Sequence, residues 1–411
     1  MDQKEIIASL DIGSSKVAVL IGKTSADNAQ VDIVGIGRSK THSLRKGIVV
    51  DLEATISAIS ESLEQAERMS GLKIDKVILG LGGNQIKSQT SKGVIAVSNP
   101  SGEVSHEDRD RVIEAAQTIA QPTNREILHV IPQSFVLDGQ GAIKDPIGMN
   151  GIRLEVETHI ITTGSPAIKN LEKCVFQSGL NIAEPVLNVL AESETLLSSE
   201  QKEIGVILID IGAATTQIIV FEEGTIVHSA VIPLGGSLIT NDIAIGLKTS
   251  IDTAEAVKIK FGSATPAKIS ETKTIDLGKI SEEDKSQESQ KYIAEIIEAR
   301  LSEILDMVRN ELKKVKKDAK LPAGAVFTGG TSQIEGLAEL SKEVLKLPSN
   351  LARNELMVGG LTDKVEDPGF AAALSLLFWG KHHAHGNKTQ SNQIVKDISN
   401  RFKDIWKMFK P

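Results

Sequence analysis

Two stretches of this 411-residue chain repeat one pattern, and that repeat limits the fold more than any other feature. "ASLDIGSSKVAVLIG", from Ala8, and "VILIDIGAATTQIIVFEEG", from Val206, each read as strand, Asp-Ile-Gly, small polar turn, strand. Two related halves that open on the same hairpin predict two lobes facing each other. The chain is also longer than one hydrophobic core usually supports. A turn of glycine and small residues leaves backbone N–H groups accessible, which suits phosphate oxygens. Lys16 can neutralise phosphate charge. Asp11 and Asp210, each ending a strand at a hairpin mouth, can hold Mg²⁺, which usually keeps several waters and takes one or two carboxylates. In a third stretch, "FTGGTSQIEG", Gly329 and Gly330 ahead of Thr331 let the backbone come close to a flat ligand where the next helix begins. A plain turn explains each loop taken singly; the three together point to a nucleotide cleft. Competing motifs break: Gly22, Lys23 and Thr24 resemble the end of a P-loop, but Val17 stands where its first glycine is required. "GLGGNQ", from Gly80, departs from the dinucleotide fingerprint at Gln85, and there is no zinc-protease helix or nucleophile elbow.

Residues 5–38 read as three strands, followed by a helix at 51–70 and the strand "KVILGLGG". From 84 to 163 the texture changes to an inserted small α+β subdomain, with a helix capped by Ser105 and carrying Asp108 at its third position. Helices at 166–178 and 186–198 lead into the second hairpin. A helix opens at Gly235 and Gly236, another spans 251–260, and a polar surface excursion precedes a long helix at 290–317. A strand "GAVFTGG", a helix from Gln333 and a final helix near 368–380 follow. The expected division is a first lobe of 1–83, completed by 164–200 and 361–380; the insert, 84–163; a second-lobe core of 201–234 and 319–360; and an outer part, 235–318. The segment "KHHAHGNKTQSNQ", 381–393, reads as a linker; its three histidines lack the cysteines or paired carboxylates of a metal site.

The terminal segment 394–411 stands apart from the rest. The formal net charge is -8, yet the last twenty residues carry five cationic side chains against two anionic ones. At 100° per residue Ile394, Val395, Ile398, Phe402, Ile405, Trp406 and Phe409 fall within an arc of roughly 120°. Lys396, Lys403, Lys407 and Lys410 gather opposite. That pattern predicts an amphipathic helix lying in the headgroups of an anionic bilayer; a terminal helix docked on the protein's own core is the competing reading. No basic stripe lies elsewhere, which argues against nucleic-acid binding. The longest apolar run, "GFAAALSLLFW", is about half of what crossing a bilayer needs, and the start lacks a signal peptide's apolar run. The single cysteine, Cys174, reads as a buried apolar residue in a reducing compartment.

The loops "DIGSSK", "DIGAATT" and "TGGTSQIEG" resemble the phosphate and adenosine loops of the actin/Hsp70 ATPase superfamily, and "AEPVLNVLAESETLL" is similar to the helix joining its halves. "LHVIPQSFVLDGQGAIKDPIGMNGIRLEVETHIIT", "TAEAVKIKFG", "GLTDKVEDPGFAAALSLLFWGK" and the tail resemble its bacterial cell-division branch, the FtsA family. The resemblance implies an actin-like α/β fold of two lobes around a nucleotide cleft, with the insert replacing one actin subdomain. It implies ATP with Mg²⁺, self-assembly into protofilaments under the cytoplasmic membrane, tethering of the tubulin-like FtsZ by its C-terminal tail, and contact of other division proteins with the insert. By motif, Gly13, Ser14, Ser15 and Lys16 would line the phosphates, with Gly212, Ala213, Ala214 and Thr215 opposite and Gly235 and Gly236 behind them. Glu255 and Lys258 would approach ribose and adenine, with a solvated helix face as the competing reading. Asn188, on the connecting helix, would position water, and Arg300 and Glu303 would receive FtsZ, where a surface ion pair explains them equally well. The superfamily also holds pilus-assembly homologues and small-molecule kinases and phosphatases, which have no use for such a tail. The family commonly has further glycines at Ala213 and Ala214 and an acid at Gln217. If the backbone there needs positive φ, each methyl costs about 1 kcal/mol, so the expectation is retained ATP binding with slow or undetectable turnover.

Overall fold

In the computed structural model residues 5–24, 30–120, 123–281, 286–353 and 358–386 are described. The first hairpin is β1 (Glu5–Ile12) and β2 (Lys16–Thr24), followed by β3 (Val31–Lys40), a small hairpin of β4 (Leu44–Arg45) and β5 (Ile48–Val49), helix α1 (Leu52–Ser70) and β6 (Lys76–Leu81). The insert holds β7 (Lys87–Ala96), α2 (His106–Ala120), β8 (Arg125–Leu137), β9 (Gln140–Ile143) and β10 (Arg153–Gly164). Then come α3 (Ser165–Gln177), β11 (Asn181–Leu187), α4 (Asn188–Leu196) and α5 (Ser199–Ile204). The second lobe has β12 (Val206–Ile211), β13 (Thr216–Glu222), β14 (Thr225–Ile232), α6 (Gly236–Leu247), α7 (Ile251–Phe261), a hairpin of β15 (Thr274–Asp276) and β16 (Gln287–Ser289), α8 (Gln290–Lys314), β17 (Gly324–Thr328), α9 (Leu337–Leu345) and β18 (Ser349–Leu351). The chain returns to the first lobe with β19 (Val358–Gly360), α10 (Thr362–Val365) and α11 (Ala371–Gly386).

The repeat read from the sequence is a repeat of sheets. The first sheet runs β11-β6-β1-β2-β3-β19 and the second β18-β17-β12-β13-β14, so the same five-strand order occurs twice. In each, the hairpin is antiparallel and its first strand also pairs in parallel with a later one, Asp11 opposite Gly80 and Asp210 opposite Thr328. Strands covered on both faces are apolar almost without break, as in the wholly buried "VILIDI" of β12. Ile59, Leu63, Ile168, Leu171 and Cys174 from α1 and α3 cover one face of the first sheet, and Phe370, Leu374, Leu377 and Phe378 cover the other. Burying each large side chain is worth about 1.5–3 kcal/mol. The insert is a four-stranded sheet, β7-β10-β8-β9, whose core includes residues of α2. Its helix is capped as expected: Ser105 Oγ accepts from Asp108 N at 3.1 Å and the Asp108 carboxylate accepts from Ser105 N at 3.1 Å.

Four local expectations change. Val186 and Leu187 finish strand β11 beside β6, and the helix begins at Asn188. No α-helix starts at Gln333, because Gly336 at φ 84° breaks the helical path; a 3₁₀ turn, Gly330–Gln333, precedes α9. The polar excursion is anchored by Ile275 and Leu277 in the second-lobe core. The segment read as a linker is helical through Gly386: Lys381 is buried, and the His383 ring stacks on Trp379 at 4.1 Å. Tertiary contacts of this kind leave no mark on local periodicity. Residues 394–411, including every predicted membrane-facing side chain, lie outside the described residues. No described helix is long and apolar enough to cross a membrane.

Candidate functional site

The two hairpin turns are built alike and braced differently. Gly13 N–H donates to Lys16 O at 2.9 Å, and Gly212 N–H to Thr215 O at 3.0 Å. Those two amides are therefore used inside the turns. Among the described residues the N–H groups of Ser14, Ser15, Ala213 and Ala214 have no backbone acceptor. The first turn is held by the Gly47 amide on Ser14 Oγ (3.2 Å) and by the Thr41 amide on Ser15 O (3.1 Å). The second is held by the N-terminus of α6: Gly236 N–H donates to Gly212 O at 2.9 Å and Ser237 N–H to Ala213 O at 2.7 Å. Thr331 Oγ donates to the same Gly212 carbonyl at 3.2 Å. Gly235 is required by that contact, since a Cβ there would stand 2.7 Å from both the Gly212 and Ala213 oxygens.

Four ionisable side chains converge where the hairpins meet. Asp11, Asp210 and Glu192 are buried, and Lys16 interacts with all three. Burial raises the Asp11 carboxyl above its usual range, partly offset by Lys16 and by the Asn188 Nδ2 donor at 2.9 Å. Burial and then the charge of Asp11 push Asp210 up to about 7, with Gln217 Nε2 a weaker donor at 3.3 Å. Burial, followed by the charges of Asp210 and Asp11, holds Glu192 well above a normal carboxyl. Burial lowers Lys16, whose ammonium lies 5.5 Å from the Phe370 ring centre and donates to Gly369 O. Glu192 was not singled out from the sequence. The available signal was its spacing four residues after Asn188, which sets both on one face of a helix.

The remaining predicted residues divide into those joined to this centre and those outside it. Gly329 has φ 86°, and its missing side chain is filled by the protein, a Cβ standing 2.2 Å from Asp210 Oδ1. Gly330 faces open space and keeps the room expected for a ligand. Glu255 has a side chain 44% exposed, whereas the Lys258 side chain is only 10% exposed. Lys258 Nζ donates to Glu255 at 2.7 Å, to Thr240 Oγ at 2.9 Å and to Gly236 O at 3.3 Å, which ties α7 to the start of α6. Arg300 grips Asp242 of α6 at 2.6 and 3.0 Å and also bonds Glu303, away from the hairpins. Ala213 and Ala214 are not among the described non-glycine residues with positive φ. The strain behind the expected loss of turnover is therefore absent from the second turn.

Three buried polar atoms around this centre have no partner: Asn188 Oδ1, Glu192 Oε2 and Gln217 Oε1. Unpaired buried acceptors are costly, and water bound between the hairpins can satisfy them. Among the described residues no group of three or more His, Cys, Asp or Glu side chains could hold a metal ion, and Mg²⁺ usually takes only one or two carboxylates and several waters. The donor set fits hydrated Mg²⁺ beside a phosphate group.

Comparison with known proteins adds a second line. The family model "Cell division protein FtsA" matches residues 207–375, and "SHS2 domain inserted in FTSA" matches 83–162. The chain is 38% identical to cell division protein FtsA of Pseudomonas aeruginosa over 92% of its length and 89% of the relative's. It is 41% identical to that of Bacillus subtilis (84% and 78%) and 31% identical to that of Escherichia coli (98% and 97%). Among solved structures it is similar to a PilM-PilN type IV pilus biogenesis complex, with a TM-score of 0.66 at 18% identity over 91% of this chain and 98% of that one. It is also similar to MreB5 of Spiroplasma citri bound to ADP, with a TM-score of 0.54 at 15% identity over 93% and 99%. These likenesses establish the actin-like fold. The pilus and small-molecule kinase readings fall to the much closer identity with cell-division proteins.

Proposed function

This chain belongs to the FtsA family of cell-division proteins, and we propose that it binds ATP with Mg²⁺ between its two Asp-Ile-Gly hairpins, self-assembles at the inner face of the cytoplasmic membrane and anchors the FtsZ ring there. The observation that carries the nucleotide reading is the convergence of Asp11, Asp210, Glu192 and Lys16 on one buried centre. The free amides of Ser14, Ser15, Ala213 and Ala214 bind phosphate oxygens from opposite sides. Lys16 supplies the positive charge, while Asn188 and Gln217 orient the two aspartates and hold water with their free oxygens. Mg²⁺ when bound supplies the charge that relieves the repulsion among the acids. Gly330 leaves the adenosine side open, and the Glu255–Lys258 pair fixes the helix that borders it.

Residues 394–411 are the membrane anchor in this reading, through Ile394, Ile398, Phe402, Ile405, Trp406 and Phe409 with Lys403, Lys407 and Lys410 at the headgroups. Assembly places many such tails on one surface, and linked copies raise the effective concentration steeply. The helix face bearing Arg300 and Glu303 receives the FtsZ tail, and residues 84–163 receive other division proteins. Deleting 394–411 should release the protein from anionic vesicles in a pelleting assay and leave nucleotide affinity unchanged; unaltered pelleting would refute the anchor. An FtsZ C-terminal peptide should lose binding to Arg300→Glu in a pull-down.

A further inference from the structure

A cavity of about 400 Å³ lies where the insert, α4 and the β13–β14 hairpin meet, away from the hairpin centre. Ligand sites begin at about this size. Its walls are mixed: Trp379, Phe221, Leu190 and Ile226 are apolar, and Glu194 and Lys202 are charged. Lys202 lies 5.1 Å from the Phe221 ring centre and within electrostatic reach of the Glu194 carboxylate, which also lines the cavity. Glu184, largely buried and outside the cavity lining, interacts with the Trp379 and His383 side chains. Trp379 belongs to α11, and His383 of the next turn stacks on it.

The chain itself leads back to this place. From Trp379 the helix runs seven residues to Gly386, about 10 Å at 1.5 Å per residue. The seven residues 387–393 reach at most about 25 Å when extended, so every aromatic side chain of 394–411 can return to the cavity. That segment combines Phe402, Trp406 and Phe409 with five cations, and the cavity combines an indole wall with Glu194 and Lys202. Resting on the reading of 394–411 as the anchor, we infer that in the absence of lipid this cavity holds an aromatic side chain of the protein's own C-terminal segment, with a neighbouring lysine against Glu194. The segment then has two exclusive docking places, the cavity and the bilayer, and leaving the first is part of reaching the second.

Trp379 and Trp406 are the only tryptophans, so the Trp406→Phe protein reports on Trp379 alone. Its emission should shift to the red when the chain is truncated after residue 386. A synthetic peptide of 394–411 carrying Trp406→Phe should reverse the shift saturably. Phosphatidylglycerol vesicles should reproduce the red shift in the full-length Trp406→Phe protein. Glu194→Lys should weaken the peptide's effect at least tenfold, with circular dichroism confirming the fold; Lys403→Glu with Lys407→Glu in the peptide should do the same without touching the protein. Equal Trp379 emission with and without the tail, or a shift that grows with protein concentration and so reports a second copy, overturns the inference. Tail-dependent vesicle pelleting with a silent Trp379 sinks this inference and keeps the anchor. A responsive Trp379 without pelleting does the reverse.

Discussion

The two Asp-Ile-Gly hairpins share register, turn and parallel neighbour, but they are equipped for different work. The first turn carries charge and hydroxyls, Lys16 with Ser14 and Ser15, and is braced by loops of its own lobe at Gly47 and Thr41. The second has two alanines and no cation, and two of its carbonyls are held by the N-terminus of α6, which Lys258 locks to α7. A ligand between them meets electrostatics on one side and, on the other, a rigid turn joined to the helices of the outer second lobe. Duplication supplied the frame, and the division of labour came from what packs against each copy. It follows that a change at the first turn should alter affinity, whereas a change at the second should alter stability and the response of α6 and α7.

The largest expected effect is on pH dependence, because only the second aspartate lacks a lysine in its own hairpin. Burial raises Asp210 from 3.8 to about 7, so the folded state binds a proton that the unfolded state has released. Its stabilising contribution is complete below about pH 4 and vanishes as pH rises through 7. The buried His129 and His159, both lowered to about 4 by burial, act oppositely but only up to the ordinary histidine value of 6.5. Glu172, likewise raised to about 7 by burial, adds to the same decline, so ligand-free protein should lose melting temperature between about pH 6.5 and 7.5. Asp210→Asn should make that decline shallower, leaving the share of Glu172, and Mg²⁺ with ATP should do the same. An identical pH profile for the variant would mean that the two aspartates are equally screened.

Next in size is Lys16→Ala, which removes the one cation of the first turn. ATP affinity should fall about 10- to 100-fold, the worth of one charged hydrogen bond at about 1.5–3 kcal/mol, in a fluorescent-nucleotide titration. Unchanged affinity would remove the asymmetry on which the comparison rests. Gly235→Ala acts on the other side: its methyl meets two backbone oxygens at 2.7 Å. Overpacking of this kind costs about 1–3 kcal/mol, read as a lower urea midpoint together with faster hydrogen exchange in α6.

Much of this was legible from residue order alone. The duplicated hairpins, the insert and the capping of α2 by Ser105 follow from periodicity and spacing, which are local. Glu192, Asp367 and Gly47 were not legible, because each matters only through a contact made across the fold. Gly47 reaches Ser14 from a hairpin 33 residues later, and Asp367 approaches Lys16 from the far end of the chain. The segment from Lys381 failed for the same reason: a polar, histidine-rich run lacks helical periodicity, and only its packing on Trp379 and against Gln30 makes it helix. The partnering of Glu255 and Lys258 by Thr240 was equally invisible.

The smallest effect decides how the second turn should be understood. If Ala213 and Ala214 strained a backbone that prefers glycine, Ala213→Gly would relieve the turn and stabilise the protein. Neither alanine is among the described positive-φ residues, so there is no strain to relieve. Glycine would add only unfolded-state freedom, a loss of about 0.5–1 kcal/mol. Ala213→Gly should therefore lower the urea midpoint slightly and leave ATP turnover where it was. A rise in both would show that the second turn is held in a conformation its alanines resist, and the two hairpins would then differ by strain and not by charge.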